Sequence, residues 1–357
     1  MTSPGSRHAH VVGLGLIGAS VARALGEVDW IVTGADRDNT VQRAAESSGV
    51  IVAPDYHVAT SLVVVATPAS SVATVANAVL ARSANPRLIV TDVAGVKGSI
   101  AFEVRDQRFL GGHPMAGSEQ RGLAGARADL FKGCTWVLTP TPTTLPLTYS
   151  ELHGILREIG ANVVAVSAED HDRLVALASH VPHLLAGALM NEAAHTAEQD
   201  AVLLQLAAGG FRDMTRVAAG DPAIWPDVLF ENREAVTQTL RALEGRLREL
   251  REALDAGDRG VIEENLTSAA QARRQLPGRA LSTENLSYLR VAVTDRPGEL
   301  GIVTTAASEQ LVNIYDIEIA HGIEGASGTL LLAVDALQAA SFADTLRGAG
   351  FTVSQER

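Results

Sequence analysis

The hexad Gly13-Leu14-Gly15-Leu16-Ile17-Gly18 constrains this chain more than any other stretch, because it closes an apolar run and opens a helical pattern. A G-x-G-x-x-G string in that setting is a strand-turn-helix junction. The first glycine permits the tight turn, the second lets a ligand approach the backbone, and the third lets helix pack on strand. The free N–H groups of the new helix then face an anion with a favourable dipole. The next apolar run, Trp30–Ala35, ends at Asp36, eighteen residues past Gly18, where a carboxylate suits two ribose hydroxyls. Together these features predict a dinucleotide held along Gly13, Gly15, Leu16, Ile17 and Gly18 and at Asp36. Asp36 repels a 2′-phosphate and so favours NAD. Arg37 beside it is able to stack on adenine or pair with that phosphate, which keeps NADP as a second reading. Thr67-Pro68 and Asp92 close later apolar runs and are expected at the same ligand-binding edge.

Short β-branched runs at His10–Leu14, Trp30–Ala35, Leu62–Ala66 and Leu88–Thr91 alternate with helical patterns at Ile17–Gly26, Asn39–Ser48 and Ser70–Arg82. That alternation means βαβ units and a doubly wound sheet. Thr135–Thr139 and Asn162–Val166, around a helix near Tyr149–Ile159, extend it. From Ala168 to Gln275 the strand signals stop, and helical spacing runs through Leu174–Ala194, Ala201–Ala208 and Ala223–Leu254. Val236, Leu240, Leu243, Leu247, Leu250 and Leu254 form a heptad-like seam, which fits either a bundle helix packed in its own subunit or a contact between two copies. After a linker at Pro277–Asn285, strands at Ser287–Val293, Ile314–Ala320, Thr329–Val334 and Phe351–Ser354 and helices at Leu300–Gln310 and Ala339–Gly348 give βαββαβ, the ferredoxin-like order. The expected architecture is α/β: a Rossmann domain at 8–167, an all-helical domain at 168–276 and a ferredoxin-like domain at 286–357.

Composition narrows the partners. With 357 residues the chain has room for two or three cores, and its net charge of −12 opposes nucleic acid or an anionic membrane as main partner. No run approaches the 18 apolar residues of a membrane span, and Met1–His10 lacks the pattern of a secretory signal. A lone cysteine, Cys134, makes no internal disulfide, so the cytoplasm is the expected compartment. An anionic substrate in so acidic a chain requires locally clustered cations.

Three strings supply candidates: Gly111-Gly112-His113-Pro114-Met115-Ala116-Gly117-Ser118-Glu119, Ser179-His180-Val181-Pro182-His183, and Gly209-Gly210-Phe211-Arg212-Asp213-Met214-Thr215-Arg216. Taken singly, each also reads as a loop histidine, a helix cap or a surface cation. The His-x-x-His pair has no matching cysteine or carboxylate pattern, so no metal is expected. Together, in order and spacing, the strings resemble the prephenate dehydrogenase family over residues 10 to about 275. That family oxidatively decarboxylates prephenate to 4-hydroxyphenylpyruvate, or arogenate to tyrosine, with NAD or NADP, and its helical domain dimerises. The resemblance implies a homodimer, with His113 as the base that takes the hydroxyl proton and Arg216 as anchor of the ring carboxylate. It also implies His183 near the substrate side chain, Trp225 lining the pocket, Glu119 gating or polarising the site, and Gly209 bringing backbone close to the ligand. An imidazole suits proton transfer because its ordinary pKa of about 6.5 is close to working pH.

The string Asp92-Val93-Ala94-Gly95-Val96-Lys97 departs from that pattern, since Gly95 stands where many relatives carry a serine that contacts the nicotinamide and orients the histidine. Further on, Asp295-Arg296-Pro297-Gly298-Glu299-Leu300 with Asn313-Ile314 resembles an ACT domain. Asp295, Gly298, Leu300, Asn313 and Ile314 are the implied effector contacts, and tyrosine the natural effector; a purely structural appendage is the other reading. The chain is therefore expected to be an NAD-dependent prephenate dehydrogenase. No acidic residue in Ser179–His183 waits for an amine, so arogenate dehydrogenase is the alternative, and an inactive amino-acid sensor is the alternative of a different class.

Overall fold

The computed structural model describes residues 7–116, 122–200, 202–207, 209–274, 286–294, 299–321 and 327–356. Eight strands form the large sheet: β1 (Arg7–Val12), β2 (Trp30–Ala35), β3 (Ile51–Val52), β4 (Thr60–Val65), β5 (Ile89–Asp92), β6 (Phe109–Pro114), β7 (Thr135–Thr139) and β8 (Asn162–Ala165). Their order is β3-β2-β1-β4-β5-β6-β7-β8, and β6 meets β7 antiparallel while the other neighbours run parallel. The order reverses between β1 and β4, which opens a crevice at their carboxyl ends. Along β4, Leu62 and Val64 enter one core and Val63 and Val65 the other, so helices cover both faces.

β6 is a strand that the apolar pattern does not announce, because Gly111 and Gly112 lie within it. Their smallness is the reason it fits. A Cβ on Gly111 would lie 2.5 Å from Thr139 Oγ1, and one on Gly112 would lie 2.8 Å from the Asp92 carbonyl oxygen and 2.9 Å from Trp136 Nε1.

The second part is helical. Ser167 caps the helix Ala168–Val175 by accepting from Asp170 N–H, and Glu169 and Asp170 suit its first-turn dipole. The next turn, Ala176–His180, is a π-helix leading into Val181–Gln199. Pro182 has no N–H to close an α-helical bond, which favours a loosened turn just before it. The helical pattern over Ala223–Leu254 resolves into two helices, Trp225–Glu231 and Arg233–Asp255, with a break at buried Asn232. A further helix, Arg259–Arg274, follows. Within the heptad seam Val236 is buried and Leu240 and Leu243 pack with Ala176 and Val181, whereas Leu247 and Leu254 are 54% and 67% exposed. Among the described residues the first half of the seam is packed by its own chain, whereas Leu247 and Leu254 stay exposed.

The third part has the expected βαββαβ order: β9 (Leu286–Thr294), helix Glu299–Glu309, β10 (Ile314–His321), β11 (Ser327–Asp335), helix Ala336–Gly348 and β12 (Thr352–Glu356). The sheet is antiparallel, ordered β10-β11-β9-β12, over a separate core that includes Leu289, Val291, Leu332 and Phe342. Its edge strand β10 lies beside β8, the edge of the large sheet.

Candidate active site

The turn after β1 is built as its glycines require. Gly13 has φ +96°, its N–H donates to Ala35 O at 2.7 Å, and a Cβ there would lie 2.4 Å from Ala66 O. Gly15 precedes the helix Leu16–Glu27 in extended backbone, no side chain caps that helix, and a Cβ on Gly15 would meet nothing within 4 Å. The open space lies directly over uncapped N–H groups, which fits a pyrophosphate. Asp36 is fixed beside it, Oδ2 accepting from Leu14 N–H at 2.8 Å and Oδ1 from Asp38 N–H at 2.9 Å. Arg37 is exposed at the same strand end. Leu16 and Ile17 form the first helical turn, and Thr67 and Pro68 follow β4, with Thr67 Oγ1 buried and without a hydrogen-bond partner. These residues lie together at the carboxyl ends of β1, β2 and β4.

His113 sits near the end of β6, and its Nδ1 lies 2.8 Å from His171 Nε2. His171 Nδ1 lies 2.8 Å from Asp172 Oδ1. Asp172 in turn accepts from Lys97 N–H at 2.8 Å and Gly98 N–H at 2.7 Å, pinning the loop after β5 to the first helix of the helical part. On the other side of that loop Lys97 Nζ donates to Asp92 Oδ2, while Asp92 also accepts from Ala94 N–H at 2.9 Å and Gly112 N–H at 3.1 Å. Burial, helped by the Lys97 charge and by His171 and His180, holds the His113 imidazole well below its usual pKa, so it stays neutral. The far side of the ring faces Gly95: a Cβ there would lie 3.8 Å from His113 Cε1 and Nε2, and 3.9 Å from Val228 Cγ1.

The opposite wall belongs to the helical part. Asn232 Nδ2 reaches Asp172 O at 2.8 Å and His180 Nδ1 at 3.1 Å, filling the break between two helices. Burial drops the His180 pKa to about 4, so His180 is a neutral acceptor for Asn232. His180 meets Trp225 edge-on, and His183 lies flat on the same indole with ring centroids 3.6 Å apart. Burial also lowers the His183 pKa. Arg216 opens the turn Arg216–Ala219, which packs on the His183 helix. From the turn's end, Gly220 closes on His183, its Cβ position 3.3 Å from Cε1. Ser70 Oγ donates to Asp227 Oδ2 at 2.8 Å, tying the helix of Trp225 to the segment after Thr67-Pro68.

The fold thus brings His113, His183 and Trp225 into one connected group, with Arg216 on an element packed against it. Gly209 begins a short helix, Gly209–Thr215, and is exposed. Glu119, Asp295 and Gly298 lie outside the described residues, and Leu300 is in the helix Glu299–Glu309. Asn313 is exposed just before β10, while Ile314 packs on the C-terminal core. The Asp92 side chain is 0% exposed and committed to Lys97 and two amides, so it braces the loop after β5. Lys97 was read only as the end of the Asp92–Lys97 string, and His171, Asp172 and Asn232 escaped the sequence reading. The Asp92…Lys97 bracket around a loop at the sheet edge was a usable signal for the first. His171-Asp172 reads as an ordinary acidic first helical turn, and nothing local marks Asn232. Among the described residues no group of three His, Cys, Asp or Glu is placed to hold a metal. Cys134 is half-buried, and burial pushes its thiol up to about 11, which leaves it unreactive.

Comparison with known proteins places this geometry. The family model described as prephenate dehydrogenase, nucleotide-binding domain, matches residues 21–165, and that described as prephenate dehydrogenase, dimerization domain, matches residues 167–268. Prephenate dehydrogenase of Bacillus subtilis is 30% identical over 335 residues, covering 90% of this chain and 90% of that protein. Among solved structures, arogenate dehydrogenase of Synechocystis is 29% identical with a TM-score of 0.65, covering 76% of this chain and 100% of the other. Prephenate dehydrogenase of A. aeolicus, in complex with hydroxyphenyl propionate and NAD+, is 26% identical with a TM-score of 0.69, covering 77% of this chain and 100% of the other. With both family models matched in sequence and the dinucleotide turn and histidine group in place, the chain belongs to the prephenate dehydrogenase family.

Proposed function

We propose that this enzyme converts prephenate to 4-hydroxyphenylpyruvate with NAD, with His113 as the proton acceptor. One observation carries the reading: His113 is tethered through Nδ1, while Nε2 faces the Gly95 loop at the carboxyl edge where the Gly13–Gly18 turn also opens. The turn and Asp36 hold the dinucleotide, which when bound takes a hydride from the hydroxyl-bearing ring carbon. His113 takes the hydroxyl proton as the carbonyl forms. The ring carboxylate then leaves as carbon dioxide, its electron pair entering the ring, and His113 returns the proton to the resulting phenolate. Arg216 orients the ring carboxylate, as a planar two-pronged donor is shaped to do. Too tight a hold on that group before reaction would slow its loss, so Arg216 positions more than it accelerates.

The wider reading divides the chain at 8–167, 168–276 and 286–357 and makes the enzyme a homodimer in the cytoplasm. Helices over Ala168–Glu198 include a window of mean hydropathy 1.3 that is only 28% buried within one chain, and Leu247 and Leu254 lie open. A second copy covers such faces. The βαββαβ part is an ACT domain whose effector is tyrosine, and β10 beside β8 gives it a lateral route through β7 to His113, which pairs with Val137. Arogenate is the second reading, kept by the likeness to the arogenate dehydrogenase of Synechocystis. Absorbance at 340 nm with prephenate or arogenate crossed with NAD or NADP tests the assignment, and turnover of arogenate alone would reverse it. His113→Asn should keep NAD affinity and lose turnover by roughly 10²- to 10⁴-fold, as loss of a general base does. Normal turnover would remove His113 from its role. Deleting residues 287–357 should spare turnover and abolish tyrosine inhibition.

A further inference from the structure

We propose that His171, carried by the helical part of the chain, is a positioning residue that sets the tautomer of His113 and leaves its Nε2 free of a proton. The proposal rests on His113 being the base. Two contacts in series fix the protons. The Asp172 carboxylate offers only acceptor sites, so His171 Nδ1, at 2.8 Å, carries a proton and donates it. With its proton on Nδ1, His171 keeps a lone pair on Nε2, which accepts from His113 Nδ1–H at 2.8 Å. The one site left without a proton is His113 Nε2, the nitrogen turned toward Gly95.

The chain's own sequence makes this side of the ring decisive. Gly95 presents no side chain to Nε2, so the grip on the imidazole comes from Nδ1. His171 is 1% exposed and stands edge-on to His113 with ring centroids 5.1 Å apart, a fixed partner shielded from water. Asp172 is itself locked by the Lys97 and Gly98 amides, and a Cβ on Gly98 would lie 2.8 Å from its Oδ2. The base therefore rides on the sheet, whereas the pair that orients it rides on a helix of the next part. Only when the two parts are seated against each other is the imidazole in its proton-accepting form. When His113 takes a proton it becomes an imidazolium whose Nδ1–H still donates to His171, with Asp172 stabilising the charge from behind.

Nitrogen-15 NMR of the full-length protein with labelled histidine reads the tautomer directly, without turnover. His113 should show a protonated Nδ1 and a bare Nε2 at neutral pH; a proton on Nε2 overturns the proposal. His171→Leu should lower kcat by roughly 10- to 100-fold with the KM for NAD nearly unchanged, because a wrong tautomer disables a base that is still in place. His171→Gln, whose Oε1 is able to accept the same proton, should recover most of that loss. Full turnover in the leucine variant, or an equal loss in both variants, overturns the proposal. If instead His113→Asn remains fully active, the base assignment falls, while the NMR result still decides the tautomer.

Discussion

Lys97 and Asp92 form an ion pair with both side chains shut away from solvent, at 1% and 0% exposure, directly beneath the strand that carries His113. Burial and then the Lys97 charge are the leading reasons that His113 stays neutral well below its usual pKa. Burial also pulls the Lys97 pKa down, and Asp92 opposes that by holding the ammonium. Lys97→Met alone leaves Asp92 charged, buried and unpaired, at a cost of about 3–5 kcal/mol. Lys97→Met with Asp92→Asn removes both charges and avoids that penalty. Without the neighbouring cation the His113 pKa rises, so the acid limb of kcat/KM should move to higher pH in the double variant. An unmoved limb would show that the Lys97 charge does not set the His113 pKa.

The indole of Trp225 carries His183 on its face, with planes 16° from parallel. Stacked aromatic pairs contribute about 0.5–1.5 kcal/mol beyond burial, which corresponds to roughly 2- to 10-fold in binding. Trp225→Leu should raise the KM for prephenate by that factor and leave the KM for NAD unchanged, while Trp225→Phe stays close to wild type. A fall in kcat with no change in KM would place the stack in the chemical step and not in binding.

How much of this was legible follows from how local each signal is. The dinucleotide turn was fully readable, because Gly13, Gly15, Gly18 and Asp36 act through backbone geometry within one βαβ unit. The strand holding His113 was not, because Gly111 and Gly112 carry no apolar signal and are explained only by Asp92, Thr139 and Trp136 pressing on them from other strands. The break at Asn232 hides in a helical pattern for the same reason: its partners, Asp172 and His180, lie 60 and 52 residues away. His180 was seen as part of a motif, yet its role as acceptor for Asn232 depends on a π-turn that periodicity does not reveal. The seam allowed two alternatives, and the chain's own packing covers Val236 at one end while Leu254 at the other end is exposed.

Two glycines of one motif should respond oppositely to the same change. A Cβ on Gly18 would lie 1.9 Å from Gly13 O and 2.9 Å from Ala66 Cβ, so Gly18→Ala forces strand and helix apart. Overpacking of that kind costs about 1–3 kcal/mol, which should appear as a Tm lower by several degrees. Gly15→Ala meets nothing within 4 Å and should leave Tm unchanged. If the pyrophosphate lies over Gly15, the same substitution should weaken NAD by roughly tenfold or more. Gly15→Ala with unaltered NAD affinity would move the cofactor away from this turn.

Stability should fall as pH drops from 6.5 toward 4, before most carboxylates titrate. The cause is a set of buried histidines kept neutral by the fold: His180 at about 4, His113 well below its usual value, and His10 lowered by burial against an opposing pull from Asp55. Unfolded histidines take up protons from about pH 6.5 downward, whereas the folded ones do so only at lower pH, so the unfolded state binds more protons across this window. Stability is therefore fully present above pH 6.5 and lost as pH falls toward the folded pKa. For His180 alone the loss between pH 7.5 and pH 5 is about 2 kcal/mol. His180→Gln, which keeps an acceptor for Asn232 but does not titrate, should show a shallower fall in Tm over that range. Identical slopes in the variant and the wild type would mean that His180 takes up its proton in the folded chain over the same pH range as in the unfolded one.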